Sequence, residues 1–377
     1  MTNNQLLTRA ECNALRGLAI LGIVLHNFCH WLGPVVKENE YQYFQHNVDW
    51  FLQVVAHPDQ LLPAHVLSFF GHYGVPVFLF LSAYGLEMKY GRAEEKVRTV
   101  PFVRYHFLKL FKMMFVGFII FLTVDAITPG AFHYTVMRVI GQLGMFNNLF
   151  ADPDHNIWPG PYWYFGLTLQ LYVVYRLFIY KRSTTWTAVL MAICVTIQLG
   201  MAPESSELNW YRYNFMGGML PFGFGILFAR YRLTSNEKML AGSPRSAAAA
   251  LFTTFLFASF IIVGGSMNFV MWAFVPMFVC VAAIALVQLL GRLPLWGVGT
   301  WLFRTLTWFG SISAALFVIH PTVRKVFIPI ARHGDVYTGL LIYVIVSIGA
   351  AWAISKLMKH IPSPHLESSK FKAQSSK

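Results

Sequence analysis

Apolar residues in this chain run in long blocks separated by short charged segments. A bilayer core takes about 20 predominantly apolar residues per helix. That ruler predicts ten spans, near 15–34, 66–88, 104–127, 161–180, 185–202, 212–231, 246–264, 268–290, 305–322 and 337–357. The stretch 131–150 is also apolar but carries Arg138, Asn147 and Asn148, so we read it as an interfacial or re-entrant helix. The segment 35–65 mixes Glu38, Glu40, Asp49 and Asp59 with aromatics and predicts a short amphipathic helix lying on the surface. The first apolar run, Leu15 to Leu32, leads into Gly33-Pro34 with no small-residue cleavage pattern, which fits a retained helix rather than a removed signal. The expectation is an all-α, polytopic membrane protein. A single membrane-embedded domain would cover 1–360, and a polar, Ser/Lys-rich and disordered cytoplasmic tail would cover 361–377.

Composition agrees with the pattern, at 56% hydrophobic and only 12% charged, where soluble domains carry roughly 25% charged residues. The formal charge of +13 raises nucleic acid, anionic lipid and acidic ligands as partners. Placement along the chain decides between them. With ten spans and both termini inside, all but six of the 29 Lys and Arg residues fall on the cytoplasmic side. The six are Lys37, Arg138, Arg212, Arg324, Lys325 and Arg332. Basic residues stay on the cytoplasmic face of inserted helices. The excess is thus a topology signal that requires no nucleic-acid partner, and the expected location is the cell (inner) membrane, in multi-pass form.

Titratable groups in hydrocarbon cost a few kcal/mol or more and mark function by default. His26 and His30 stand four apart in the first span and share a helix face. Arg16 precedes His26 by ten residues, a rise of roughly 15 Å that places it at the cytoplasmic interface. His320 lies near the outer end of the ninth span. Acidic residues touch the predicted spans only at their ends, as Glu87 and Asp125, which disfavours a proton- or ion-coupled transporter. A neutral buried imidazole suits general-base chemistry, and thereby group transfer. The four cysteines are scattered, with neither a disulfide framework nor metal-site spacing, so no metal is expected.

Four blocks carry a family resemblance. They are Leu15 to Asn27 with Arg16 and His26, Gly74-Val-Pro-Val-Phe-Leu-Phe-Leu-Ser82-Ala-Tyr84, Tyr162-Trp163 through Gln170 to Tyr172, and Phe309-Gly310-Ser-Ile-Ser313 through His320-Pro321. In this order and frame the chain resembles the integral-membrane acyltransferases of acyltransferase family three, O-acyltransferases of bacterial cell-envelope and exopolysaccharide glycans. The resemblance implies transfer of an acyl group, typically acetyl, from acyl-coenzyme A to a hydroxyl of a carbohydrate or glycolipid acceptor. Coenzyme A would be a substrate, with no cofactor bound permanently. In this reading His26 is the general base, with His30 as the alternative. Arg16, Arg104 and Lys109 would hold the coenzyme phosphates, guanidinium being the better bidentate partner. Ser82, Tyr164 and Gln170 would be oxyanion donors or helix-packing hydrogen bonders, and Ser313 a cavity or packing residue. His320 would close the outer cavity or cap a helix end. A carrier or flippase for an acylated or glycan-linked substrate is the alternative function. The oligomeric state does not follow from the sequence.

Overall fold

The computed structural model describes residues 7–94, 96–230, 244–292 and 297–365, and every regular element among them is helical. Among the described residues, seven helices are long and apolar enough to cross a membrane: Arg9–Cys29, Leu62–Gly91, Thr99–Ile127, Arg245–Gly265, Val275–Arg292, Val298–His333 and Val336–His360. Shorter apolar helices occupy three more expected places. Thr184–Leu199 and Phe215–Arg230 are two of them, and Trp163–Val174, prolonged by the wide turn Tyr175–Ile179, is the third. A helix therefore stands in each predicted span, while seven have full membrane-crossing length.

Boundaries moved where polar contacts within the protein stabilise the chain better than a hydropathy ruler allows. The ninth span was expected over 305–322 but belongs to a 36-residue helix, Val298–His333, about 54 Å long. It continues past Pro321 because its next charges are paired: Arg324 Nη1 donates to the Asn27 carbonyl at 3.2 Å, and Lys325 donates to the Asp125 carboxylate. The sixth span starts at Phe215 rather than 212, because Asn214 breaks the chain after the helix Ser206–Tyr213. Within 131–150 a short helix, Val136–Leu143, exposes Val136, Met137 and Ile140 as an interfacial helix would. The expected surface helix of 35–65 is Gln45–Ala56. Residues 35–44 do not lie outside with it; they turn inward, and Val35 and Val36 are fully buried. The expected tail falls largely on 366–377, outside the described residues.

The first helix is the axis of the bundle. A capping box starts it, with Thr8 Oγ1 accepting from the Glu11 amide at 3.1 Å and Glu11 Oε2 accepting from the Thr8 amide at 2.7 Å. Its most extensive partner is Val298–His333. Backbones meet there through glycine: a Cβ on Gly17 would lie 1.9 Å from the Leu306 carbonyl oxygen, and one on Gly310 would lie 1.9 Å from that of Asn13. Small residues at a crossing replace the missing hydrophobic drive between helices in lipid with close van der Waals contact. On the other flank Gly74 meets the Ala19 carbonyl in the same way. The first helix is thus held rigidly between two neighbours, with Arg16 toward one end and His26 toward the other.

Candidate active site

His26 stands in the last turn of the first helix, 2% exposed. Its Nδ1 lies 2.8 Å from the Ser68 carbonyl oxygen. A carbonyl only accepts, so Nδ1 carries the proton and Nε2 of the neutral ring keeps its lone pair. Gly71 permits the fit, since a Cβ there would come within 2.5 Å of the His26 Cβ. His26 Nε2 faces two carboxylates, Glu38 Oε1 at 3.9 Å and Glu40 Oε2 at 4.0 Å. His30 follows on the same helix face, with ring centroids 4.7 Å apart, and its Nδ1 is 3.0 Å from Glu38 Oε1.

Both glutamates come from the inward-turned segment, which distant residues pin by its backbone. Asn47 Nδ2 donates to the Glu38 carbonyl at 3.0 Å, Trp272 Nε1 to the Asn39 carbonyl at 2.8 Å, and Arg212 Nε to the Glu40 carbonyl at 2.9 Å. The Ser68 hydroxyl donates to the Val36 carbonyl at 2.5 Å. Ser68 thus ties the imidazole to the segment that carries the acids. The two acids differ in charge. Burial, reinforced by the neighbouring Glu38 charge, pushes the Glu40 carboxyl up to about 8. Burial also opposes ionisation of Glu38, but the imidazoles of His30 and His26 outweigh it and hold that carboxyl well below the usual range. At neutral pH one carboxylate and one carboxylic acid flank His26 Nε2.

These groups line a cavity of about 380 Å³, the size of a small-ligand site. Its walls are aromatic, with Trp31, Tyr41, Trp158 and Trp163, and its polar edge includes Asp154, Asn209 and Arg324. Tyr213 donates to Asp154 Oδ1 at 2.5 Å, and Tyr41 stacks on Tyr213 with centroids 4.0 Å apart. Arg324 lies over the Trp31 ring at 4.7 Å. His72 also lines the cavity, 4% exposed, with neither ring nitrogen hydrogen-bonded among the described residues.

Two further cavities open around Arg16. One, about 290 Å³, is lined by Arg16, Ser82, Lys89, Tyr105, His106 and Lys109 among others. The second, about 460 Å³, shares Arg16, Lys109 and Phe78 with it and adds Ser313, Tyr164 and Phe317. Tyr164 and Phe317 also border the His26 cavity, with their rings 5.3 Å apart. An aromatic septum one residue thick therefore separates a basic chamber from an acidic, aromatic one.

The expected site residues divide accordingly. His26, His30 and Tyr164 meet at the first cavity, and Arg16, Lys109, Ser82, Ser313 and Tyr164 at the others. Arg104 is exposed and lines none of them. Five residues before Lys109, it points about 140° away around the helix. His106 takes its place on the Lys109 face, buried and with neither nitrogen hydrogen-bonded among the described residues. Gln170 is a packing link: it donates to Asn214 Oδ1 at 2.8 Å and accepts the Phe215 amide at 2.9 Å. His320 neither borders the His26 cavity nor caps a helix, because its helix runs on to His333 and its Nδ1 donates to the Leu316 carbonyl at 3.1 Å. Sequence reasoning missed Glu38, Glu40, His72, His106 and Arg324. A pair of acids 12 and 14 residues beyond His26 was the only available signal for the first two.

A family model described as an acyltransferase domain matches residues 9–356, nearly the whole chain. The chain belongs to acyltransferase family 3. No curated protein matches it, and no solved structure does. It is a multi-pass membrane acyltransferase, and the carrier alternative gives way to an enzyme.

Proposed function

We propose that this acyltransferase moves an acyl group, acetyl in the simplest case, from an acyl-coenzyme A held at the Arg16 chamber to a hydroxyl of a carbohydrate or glycolipid in the His26 cavity. The observation that carries this reading is the His26 tautomer, whose free Nε2 lone pair is aimed into a cavity of sugar-binding character. Aromatic walls suit the apolar faces of a pyranose, and carboxyl and amide groups suit its hydroxyls. His26 Nε2 takes the proton of the attacking hydroxyl as the oxygen adds to the thioester carbonyl. Glu38, 3.9 Å away, stabilises the imidazolium that forms. Collapse of the tetrahedral intermediate breaks the carbon–sulfur bond, and the departing thiolate takes the proton from His26. Tyr164, which borders both cavities, would donate to the oxyanion.

On the donor side Arg16, Lys89, Lys109 and His106 present cations and a free imidazole to phosphate groups, with guanidinium as the bidentate element. Ten spans in the cell (inner) membrane, with both termini cytoplasmic, would put this chamber on the side where acyl-coenzyme A is made. The test is thioester consumption by the purified protein with labelled acetyl-coenzyme A, with and without an envelope glycan preparation. The reading predicts thiol release that rises with acceptor and label recovered as an alkali-labile ester. Wild-type protein that leaves the thioester intact across short and long acyl donors, acceptor present, would overturn it.

A further inference from the structure

His26, His30 and Glu38 each bring a ligating atom within 4.8 Å of the others. We propose that these three residues form a binding site for a divalent transition-metal ion of the zinc class, and that an ion there blocks the enzyme by occupying the His26 lone pair. The blocking role rests on His26 as the base; the binding site does not.

Two imidazoles and one carboxylate are a donor set that selects zinc, cobalt or copper over magnesium or calcium, which take oxygen. Donors 2.0–2.2 Å from a tetrahedral ion stand roughly 3.3–3.5 Å apart. Two of the three spacings bracket that range, 3.0 Å from His30 Nδ1 to Glu38 Oε1 and 3.9 Å from His26 Nε2 to the same oxygen, and the third, between the two imidazoles, lies within 4.8 Å and closes by a rotation of the His30 ring. An ion would replace the proton now shared between His30 and Glu38, with side-chain shifts of well under an ångström for those two pairs. The supporting groups are also in place. A metal-binding histidine usually donates its other N–H to a carbonyl or carboxylate, and His26 Nδ1 already does so to Ser68. Glu38 Oε2 and His30 Nε2 are buried with no hydrogen-bond partner among the described residues. Glu38 supplies the carboxylate of the donor set. Asn47 fixes the backbone that carries it. All three residues line the cavity, which leaves room for water or substrate as the fourth ligand of a three-ligand zinc site.

The purified full-length protein in detergent, stripped with chelator, would be titrated with Co²⁺ and followed by visible absorption, then with Zn²⁺ to displace the cobalt. The proposal predicts one ion per chain with the intense bands of a four-coordinate site. Binding should weaken by about tenfold or more in His26→Ala, His30→Ala and Glu38→Gln, and stay unchanged in His57→Ala, whose histidine is exposed on the surface. Thermal unfolding of each metal-free variant separates lost ligation from lost folding, and a variant that melts like wild type yet binds like wild type counts against the site. Absence of the bands in wild type, or bands that all three substitutions leave intact, overturns the proposal. Zn²⁺ should also halt thioester turnover, reversibly on adding chelator. Stoichiometric Zn²⁺ binding with turnover unaffected would leave the site standing and overturn its blocking role.

Discussion

Ser68 does two things with two atoms. Its carbonyl fixes the proton on His26 Nδ1, and its hydroxyl holds the backbone from which Glu38 and Glu40 approach Nε2. The consequence that can be measured most simply lies in Glu40. Its carboxyl is pushed up to about 8 by burial and by Glu38, so the folded protein binds a proton that the unfolded chain releases near the ordinary carboxylate value. Folding stability from this group is fully present below that ordinary value and declines as pH rises toward about 8. Glu40→Gln should therefore melt higher than wild type at pH 8 and close to wild type at pH 5, by thermal unfolding in detergent. A difference that is equal at both values would contradict the protonated Glu40. At this scale the sequence made His26 and Arg16 legible, because a titratable group inside a long apolar run is conspicuous. Glu38 and Glu40 were not, because the segment that carries them is held at the Asn39 and Glu40 carbonyls by Trp272 and Arg212, more than 150 residues away.

Two helix contacts position the chemistry. The crossing at Gly17 and Gly310 sets the depth of Arg16 and His26 relative to Val298–His333, and neither glycine has room for a methyl group. Gly310→Ala should destabilise the protein by about 1–3 kcal/mol or more, the usual cost of overpacking a fitted contact, read as a lower detergent unfolding midpoint. Gly349→Ala, in open space, is the control. The septum is the second contact. Tyr164 and Phe317 come from different helices and are the shared border of the two chambers. Phe317→Ala should widen the passage and raise turnover of longer acyl donors, such as octanoyl, relative to acetyl, in a competition assay. An unchanged donor preference would remove the septum from the account. Helix existence was legible because apolar runs of about twenty residues admit little else in a bilayer. Helix ends were less so: pairing of Arg324 with Asn27 and of Lys325 with Asp125 carries the ninth span past its apolar stretch, and a hydropathy count treats those charges as an ending. The same limit affected Arg104 and Gln170, whose positions in a motif did not reveal which helix face they occupy.

Across the whole molecule, a basic chamber and an acidic, aromatic chamber lie along one helix, with Arg16 in one and His26 in the other. On the proposed reading, the shared border of the two chambers gives an acyl group a short route from donor to acceptor. The proposed transfer depends above all on His26 as its base. The most direct measurement is turnover of acetyl-coenzyme A by wild type, His26→Ala and His30→Ala under saturating donor and acceptor. Loss of general-base catalysis should lower kcat about 10²–10⁴-fold in His26→Ala, while His30→Ala, which keeps the base and loses only a partner of Glu38, should retain far more. A His26→Ala protein that folds and turns over within a few fold of wild type would contradict the account.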